Sequence, residues 1–136
     1  MVINIWYPVI KDWTPRYNGN WDAANGQTLM CIGIFLDRRD IFDTACKQLT
    51  DGNTNGAIKN YFYESGQCQE SGRDQQHVQM GLAFLACAAE IAWNQDIDLY
   101  GAFDNRLYKG FEYTARYMSG EEVPHVQYIT WFGKPV

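Results

Sequence analysis

Apolar residues recur at intervals of three and four along most of this 136-residue chain, which is the spacing that places side chains on one face of an α-helix. The pattern predicts four helices, whose apolar faces run through Trp21 to Phe35, Ile41 to Leu49, Met80 to Ala92 and Leu99 to Thr114. Turn residues separate the helices, and short connections alternate with long ones. We therefore predict an all-α chain of stacked helical hairpins.

Residues that commonly cap helices stand at the predicted helix starts. Asn20 is the candidate N-cap of the first helix, and Asp37 is the candidate for the second. Ser71 is the candidate for the third helix, where Asp74 lies at the capping-box spacing. The fourth helix is predicted to end near Gly120.

The segment from residue 53 to residue 72 is rich in glycine, asparagine and serine, which predicts a long loop with a short extended piece at residues 61–63. Loops of this length in a compact domain usually carry function. Because the loop leads directly into Arg73, we expect it to line the concave side of the fold near the start of the third helix.

Charge and hydropathy argue against two classes of partner. The formal net charge is -5, whereas sequence-independent capture of nucleic acid needs a basic surface. A polyanionic ligand would therefore have to be held by a few local cations. The chain contains no run of eighteen apolar residues, so no membrane span is predicted. Residues 1–10 lack the basic region and the apolar region of a signal peptide.

The four cysteines do not predict a metal site. Cys31, Cys46, Cys68 and Cys87 show no C-x-x-C spacing, and the chain has only two histidines, so a zinc site is not expected. Cys31 and Cys87 lie within apolar helical patterns, which predicts buried free thiols. An even count also permits disulfides in an exported protein.

Arg73 and His77 are the first candidate site residues, because residues four apart share one face of a helix. On the predicted boundaries they occupy the first turns of the third helix, where the helix N-terminus favours an anion such as a uronate carboxylate. Two alternatives remain open at this point. Arg73 could form a structural ion pair with Glu70 or Asp74, and His77 could be a core histidine with its hydrogen bonds satisfied.

Amide and aromatic side chains supply further candidates. Carboxamides both donate to and accept from sugar hydroxyls, and four of them flank the Arg73–His77 pair: Gln67, Gln69, Gln75 and Gln76. They could equally belong to an ordinary polar surface. Trp21 and the other aromatic residues either fill the core or stack on sugar rings. Asn20 is most simply a helix cap.

Three segments carry a resemblance to a known family: YNGNWDAANGQTLMCIGIFLD (17–37), NGAIKNYFYESGQCQESGRDQQHVQMGL (55–82) and EIAWNQDIDLYGAFDNRLYKGFEYTARY (90–117). Over about residues 7–124 the chain resembles the alginate lyase domain of polysaccharide lyases, and residues 125–136 are expected to form an irregular tail. The resemblance implies a single partial domain with the fold of an incomplete (α/α) toroid. It also implies a periplasmic or secreted enzyme that cleaves an acidic polysaccharide by β-elimination.

The same resemblance implies roles for individual residues. Asn20 would neutralise the uronate carboxylate, His77 would be the base or a second neutralising group, and Arg73 would be an anchor at the same site. Trp21, Gln69 and Gln76 would bind the substrate. The mechanism requires no metal and no cofactor.

The chain departs from the family pattern at the catalytic acid. The resemblance implies further helices before residue 1 and a segment beyond residue 124 that supplies an arginine and a catalytic tyrosine, so the chain is expected to be an internal fragment. Tyr113 and Tyr117 are expected to pack in the core, and Tyr128 lies in the tail. The alternative function is therefore a catalytically incomplete fragment that binds carbohydrate or is purely structural.

Exposed hairpin faces lead to the first testable prediction. In a partial toroid the terminal hairpin lacks its neighbour and exposes apolar surface, so we expect the isolated chain to self-associate or to be only marginally folded. Sedimentation and thermal melts over a range of protein concentrations measure this. A clean monomer with a sharp, concentration-independent melt would contradict the prediction.

Overall fold

A computed structural model describes residues 1–12 and 18–136, and within this part the chain is all-α, as predicted. A π-helical turn, Val2–Trp6, precedes six α-helices: α1 (Tyr7–Ile10), α2 (Gly19–Phe35), α3 (Arg39–Asp51), α4 (Ile58–Tyr61), α5 (Gln75–Trp93) and α6 (Ala102–Met118). The described residues form no strand, only two isolated antiparallel bridges, Phe62–Cys68 and Ile129–Pro135. The toroid stays a prediction, and Tyr17, which begins the first quoted segment, lies outside the described residues.

Helix α2 lies at the centre of the molecule, in contact with both α3 and α5. Its buried residues share one core with apolar side chains of α3, α4, α5 and α6, among them Leu49, Ile58, Leu85 and Leu107. At the crossing of α2 and α3, a Cβ atom on Gly33 would lie 2.7 Å from the backbone nitrogen of Phe42. A glycine at this position therefore allows the two backbones to approach closely.

Tyr61 at the end of α4 fills the space between α2 and α5. Its ring is fully buried, and a Cβ atom on Gly19 or on Gly81 would overlap it. The two glycines thus form the walls of a slot for the tyrosine, one on each helix. The expected extended piece at residues 61–63 is wrong at Tyr61, which is helical, although Phe62 does form a bridge with Cys68.

Helices α2 and α3, which are the first two helices predicted from the sequence, begin at other residues than predicted. Helix α2 begins at Gly19 after Asn18, which has extended backbone angles, so Asn20 lies inside the first turn and is not the cap. Helix α3 begins at Arg39 after Arg38, while Asp37 has a left-handed φ of 52° and therefore cannot cap it. Asp37 instead serves the tight connection between α2 and α3, a position in which aspartate tolerates this backbone better than most residues do.

Helix α5 begins at Gln75, four residues later than the predicted start at Ser71. Asp74 is the N-cap, because its carboxylate accepts a hydrogen bond from the backbone N–H of His77 at 2.9 Å. The Ser71 hydroxyl oxygen accepts from the backbone N–H of Cys68 at 3.0 Å instead. Arg73 therefore precedes the helix, and the prediction that it shares a helical face with His77 is wrong.

Helix α6 departs from the predicted continuous apolar face between Leu99 and Thr114. Residues 103–105 have left-handed backbone angles, and the side chains of Phe103 and Phe111 are exposed. Tyr113 is buried as predicted, whereas Tyr117 is exposed against the prediction.

All four cysteines are free thiols. The prediction of buried thiols is wrong for Cys31 and Cys87, which are exposed, while Cys46 and Cys68 are buried. Helices α2 and α5 carry apolar residues on most of their circumference, so the sequence pattern does not indicate which face is buried. None of the described helices is long and apolar enough to cross a membrane.

Asp22 joins the first turn of α2 to the loop that follows α3. Its side chain is fully buried, and its Oδ2 accepts from the backbone N–H of Gly56 at 3.2 Å, while its Oδ1 has no hydrogen-bond partner in the part of the chain that the structure describes. Burial raises the pKa of Asp22 from 3.8 to about 7, although backbone N–H groups of Gly56 and Asn55 oppose the shift. The buried carboxyl group is therefore neutral in acid and costs free energy when it ionises.

The raised pKa of Asp22 predicts how stability depends on pH. The folded chain holds this proton more tightly than the unfolded chain, so the contribution of Asp22 to stability decreases as the pH rises from about 4 to about 7. Asp22→Asn should raise the free energy of unfolding near pH 8 by about 1–3 kcal/mol and change it little near pH 5. Denaturant unfolding at both pH values measures this, with the exposed Asp43→Asn as control. An equal effect of Asp22→Asn at both pH values would contradict the prediction.

Candidate functional site

The first turn of α2 and the first turns of α5 enclose a pocket of about 290 Å³. We call it the helix pocket, and its lining residues are Asn20, Trp21, Ala24, His77, Met80 and Phe84. Three of the six site residues predicted from the sequence, Asn20, Trp21 and His77, thus line one pocket. Ala24, Met80 and Phe84 give it an apolar lining.

His77 is held in a defined orientation by Asp74. The Nδ1 atom of His77 lies 2.8 Å and 2.7 Å from the two carboxylate oxygens of Asp74. The backbone N–H and the ring of His77, together with the Arg73 charge, hold the pKa of Asp74 below its usual value, so the carboxylate stays ionised and accepts hydrogen bonds. Nδ1 must then carry the proton, which leaves the lone pair of the neutral ring on Nε2.

Asn20 contributes an amide to the same pocket. Its side chain is 2% exposed, and its Oδ1 accepts from the backbone N–H of Trp21 at 3.0 Å. With the oxygen engaged, the Nδ2 group is the part of Asn20 that can donate to a ligand. The Trp21 side chain is 63% exposed at the pocket, where an indole ring can cover a sugar.

Arg73 does not line the helix pocket. Its Nη1 lies 3.3 Å from Oε2 of Glu70, and its Nε lies 3.7 Å from Oδ2 of Asp74. These are the structural ion pairs that the sequence offered as the alternative for Arg73. The arginine therefore reaches His77 only through Asp74.

Glu70 is the buried member of the ion pairs that connect Glu70, Arg73, Asp74 and His77. Its side chain is fully buried, and burial raises its pKa while the hydrogen bond from Arg73 opposes the shift. The Oε1 atom of Glu70 has no hydrogen-bond partner among the described residues. From the sequence, Glu70 was expected only as a partner of Arg73, and Asp74 as such a partner or as the capping-box acid after Ser71. The three-residue spacing of Asp74 and His77 at a helix start was the signal that could have indicated their contact.

The glutamines are divided among different environments. The Oε1 of Gln69 accepts from the backbone N–H of Gly19 at 2.7 Å, so this buried side chain ties the loop to the first turn of α2. Gln67 bonds to the backbone of Val126, and Gln76 is exposed and does not line the helix pocket. The side chain of Gln75 lines a different cavity.

The Gln75 cavity has a volume of about 570 Å³ and lies between α5, α6 and the segment that follows α6. Tyr113, Tyr117, Glu121 and Glu122 also line it. Two glutamates make this cavity unfavourable for an acidic ligand. The described residues contain no group of three or more histidine, cysteine, aspartate or glutamate side chains that could hold a metal ion.

Comparison with known proteins gave one result. The sequence model of a family described as alginate lyase matches residues 2–124. Neither the curated proteins nor the solved structures gave a match. Because the matched segment covers most of the 136 residues, the chain belongs to the alginate lyase family.

Proposed function

We propose that this chain is a polysaccharide lyase module that cleaves a uronic-acid-containing polysaccharide, alginate or a related polyuronate, by β-elimination. Membership of the alginate lyase family supports the reaction class. The observation that carries the proposal is the helix pocket, where the ring of His77, held by Asp74, and the amide of Asn20 line the same space.

The first task of such a site is to make the C5 proton of a uronate acidic enough to remove. An ionised carboxylate beside C5 opposes the negative charge that develops when the proton leaves. In the proposed complex the Nδ2 group of Asn20 donates to the carboxylate and stabilises the enediolate, as donors in an oxyanion hole do. The apolar side chains of Met80 and Phe84 lower the polarity around the carboxylate, which strengthens this interaction.

The second task is the transfer of the proton. The lone pair on Nε2 of His77 accepts the C5 proton, and the carboxylate of Asp74 stabilises the imidazolium that forms. Electrons from the C5–H bond form the C4–C5 double bond, the C4–O4 bond breaks, and a general acid protonates O4. Arg73 and Glu70 hold Asp74 in place rather than contact the sugar.

A second candidate function is kept because no described tyrosine is in position to act as the general acid in the helix pocket. None of the described tyrosines lines the helix pocket. Tyr113 donates to the carbonyl of Pro124 at 3.0 Å, and Tyr128 donates to the carbonyl of Asn60. Burial raises the pKa of Tyr128, which makes it a poor proton donor where it lies. A module that binds acidic polysaccharide without cleaving it is the second candidate.

The substrate suggests where the chain acts. Alginate lyases are typically extracellular or periplasmic. We propose the same location for this chain, with an acidic polysaccharide as its partner.

His77→Ala and Asn20→Ala test the proposed chemistry. Each should lower turnover of a polyuronate by about 10²-fold or more, because one variant removes the base and the other a preorganised donor. The ultraviolet absorbance of the unsaturated uronide product measures the rate, and circular dichroism checks folding. His125→Ala is the matched control, since this histidine lies at the Gln75 cavity. Well-folded variants with near-normal turnover would contradict the lyase mechanism, and binding without turnover in the unaltered chain would favour the second candidate.

Asp74→Asn separates the orientation of His77 from the capping of α5. Asparagine caps helices about as well as aspartate, so the free energy of unfolding should change by less than about 1 kcal/mol. Turnover should fall by about tenfold or more, because an amide no longer fixes the proton on Nδ1 or stabilises the imidazolium. Rate and denaturant unfolding are measured on the same preparation. Unchanged turnover in Asp74→Asn would exclude the proposed role of the carboxylate.

A further inference from the structure

A second cavity, of about 460 Å³, lies between the first turn of α2 and residues 125–136. We call it the tail cavity, and its polar and aromatic lining consists of Asn18, Asn55, Gln69, Thr130, Phe132 and Lys134. Half of these residues lie beyond residue 124, where the family match ends. The match therefore assigns no role to this part of the lining.

The tail that forms one wall of the cavity is fastened to the rest of the molecule. Gln67 exchanges two hydrogen bonds with the backbone of Val126, at 2.6 Å and 3.0 Å. The backbone N–H of Trp131 donates to Oδ1 of Asn55 at 2.9 Å, and the rings of Tyr63 and Tyr128 stack with centroids 4.6 Å apart. These contacts hold the tail against the loop between α3 and α5.

A closed turn presents the side chains of the tail. The backbone N–H of Thr130 donates to the carbonyl of Lys134 at 2.8 Å, and the backbone N–H of Lys134 donates to the Thr130 hydroxyl oxygen at 3.0 Å. The bridge between Ile129 and Pro135 closes the same turn. Thr130, Phe132 and Lys134 therefore face a ligand from a backbone that is already ordered, which lowers the entropy cost of binding.

The opposite wall contributes a fixed amide. Gln69 is 1% exposed, and its orientation is set because its Oε1 accepts from the backbone N–H of Gly19. The side chain lines the cavity, where its Nε2 group is a hydrogen-bond donor. A donor held in a fixed orientation binds a ligand acceptor with little further loss of side-chain entropy.

Lys134 gives the cavity a positive charge that forms no ion pair with an acidic side chain in residues 1–12 or 18–136. Among the lysine and arginine side chains in the described ranges, only Lys47 and Lys134 form no ion pair; the others each pair with an aspartate or glutamate. No acidic side chain appears among the described residues that line the cavity. In a chain of net charge -5, this is a local site that suits an anion.

The two cavities lie on either side of one turn of helix. Asn18 lines the tail cavity and Asn20 lines the helix pocket, while Gly19 between them is bonded to Gln69. We take one polymer to extend from the helix pocket into the tail cavity, since only Gly19 separates Asn18 from Asn20 in the chain.

We propose that the tail cavity is a second sugar subsite, which binds another uronate unit of the polysaccharide held in the helix pocket. Its carboxylate contacts Lys134, its hydroxyls contact Gln69 and Thr130, and its ring packs against Phe132. This inference rests on the proposed function, because it takes the ligand to be a polyuronate.

Binding of a uronate tetramer, measured by calorimetry at low ionic strength, tests the subsite. Lys134→Gln should weaken binding by about fivefold to tenfold, because it removes a charge-assisted contact and leaves the backbone turn intact. Lys47→Gln is the matched control, since it removes the other unpaired lysine from the exposed surface of α3, and it should change affinity by less than about twofold. A tetramer with its carboxyl groups reduced to alcohols should bind Lys134→Gln and the unaltered chain equally.

The possible outcomes separate the subsite from the lyase mechanism. Equal tetramer affinity of Lys134→Gln and the unaltered chain would overturn the subsite, as would an unaltered chain that binds no tetramer. A chain that binds the tetramer and loses affinity in Lys134→Gln, but forms no unsaturated product, would support the subsite and count against the proposed lyase activity alone.

Discussion

The close packing of Tyr61 between Gly19 and Gly81 determines the geometry on which the site depends. The ring fills the space between α2 and α5, and neither glycine has room for a Cβ atom. The helix pocket is formed by residues of the same two helices, Asn20 beside Gly19 and His77 one turn before Gly81. Because the tyrosine ring is rigid and fully buried, it fixes the separation between the amide and the imidazole.

A series of ion pairs leads from the buried interior to His77 in the helix pocket. Glu70, Arg73, Asp74 and His77 follow one another in sequence and in space, with a fully buried carboxylate at one end and an imidazole in the pocket at the other. The intermediate arginine offsets the cost of burying Glu70 and supports the carboxylate that orients the ring. A chain with net negative charge can therefore bring an imidazole and an amide together in one pocket without a broad basic surface.

The sequence predicted the helices better than it predicted their ends. Periodicity identified the long helices because burial of an apolar face requires it. The caps at Asn20, Asp37 and Ser71 were wrong, since several polar residues precede each helix and tertiary contacts select among them. Asp74 rather than Ser71 caps α5, and this difference places Arg73 outside the helix, in ion pairs.

What the sequence by itself determined is the all-α class, the resemblance to the alginate lyase family, and Asn20, Trp21 and His77 as candidate residues. These follow from local spacing and from ordered motifs, which need no knowledge of distant contacts. Only the tertiary structure decided that these three side chains line one pocket, that Asp74 holds His77, and that the tail faces Gln69 across a second cavity. Such contacts join residues up to 76 positions apart, as between Asn55 and Trp131, and depend on packing of whole helices that no local pattern encodes.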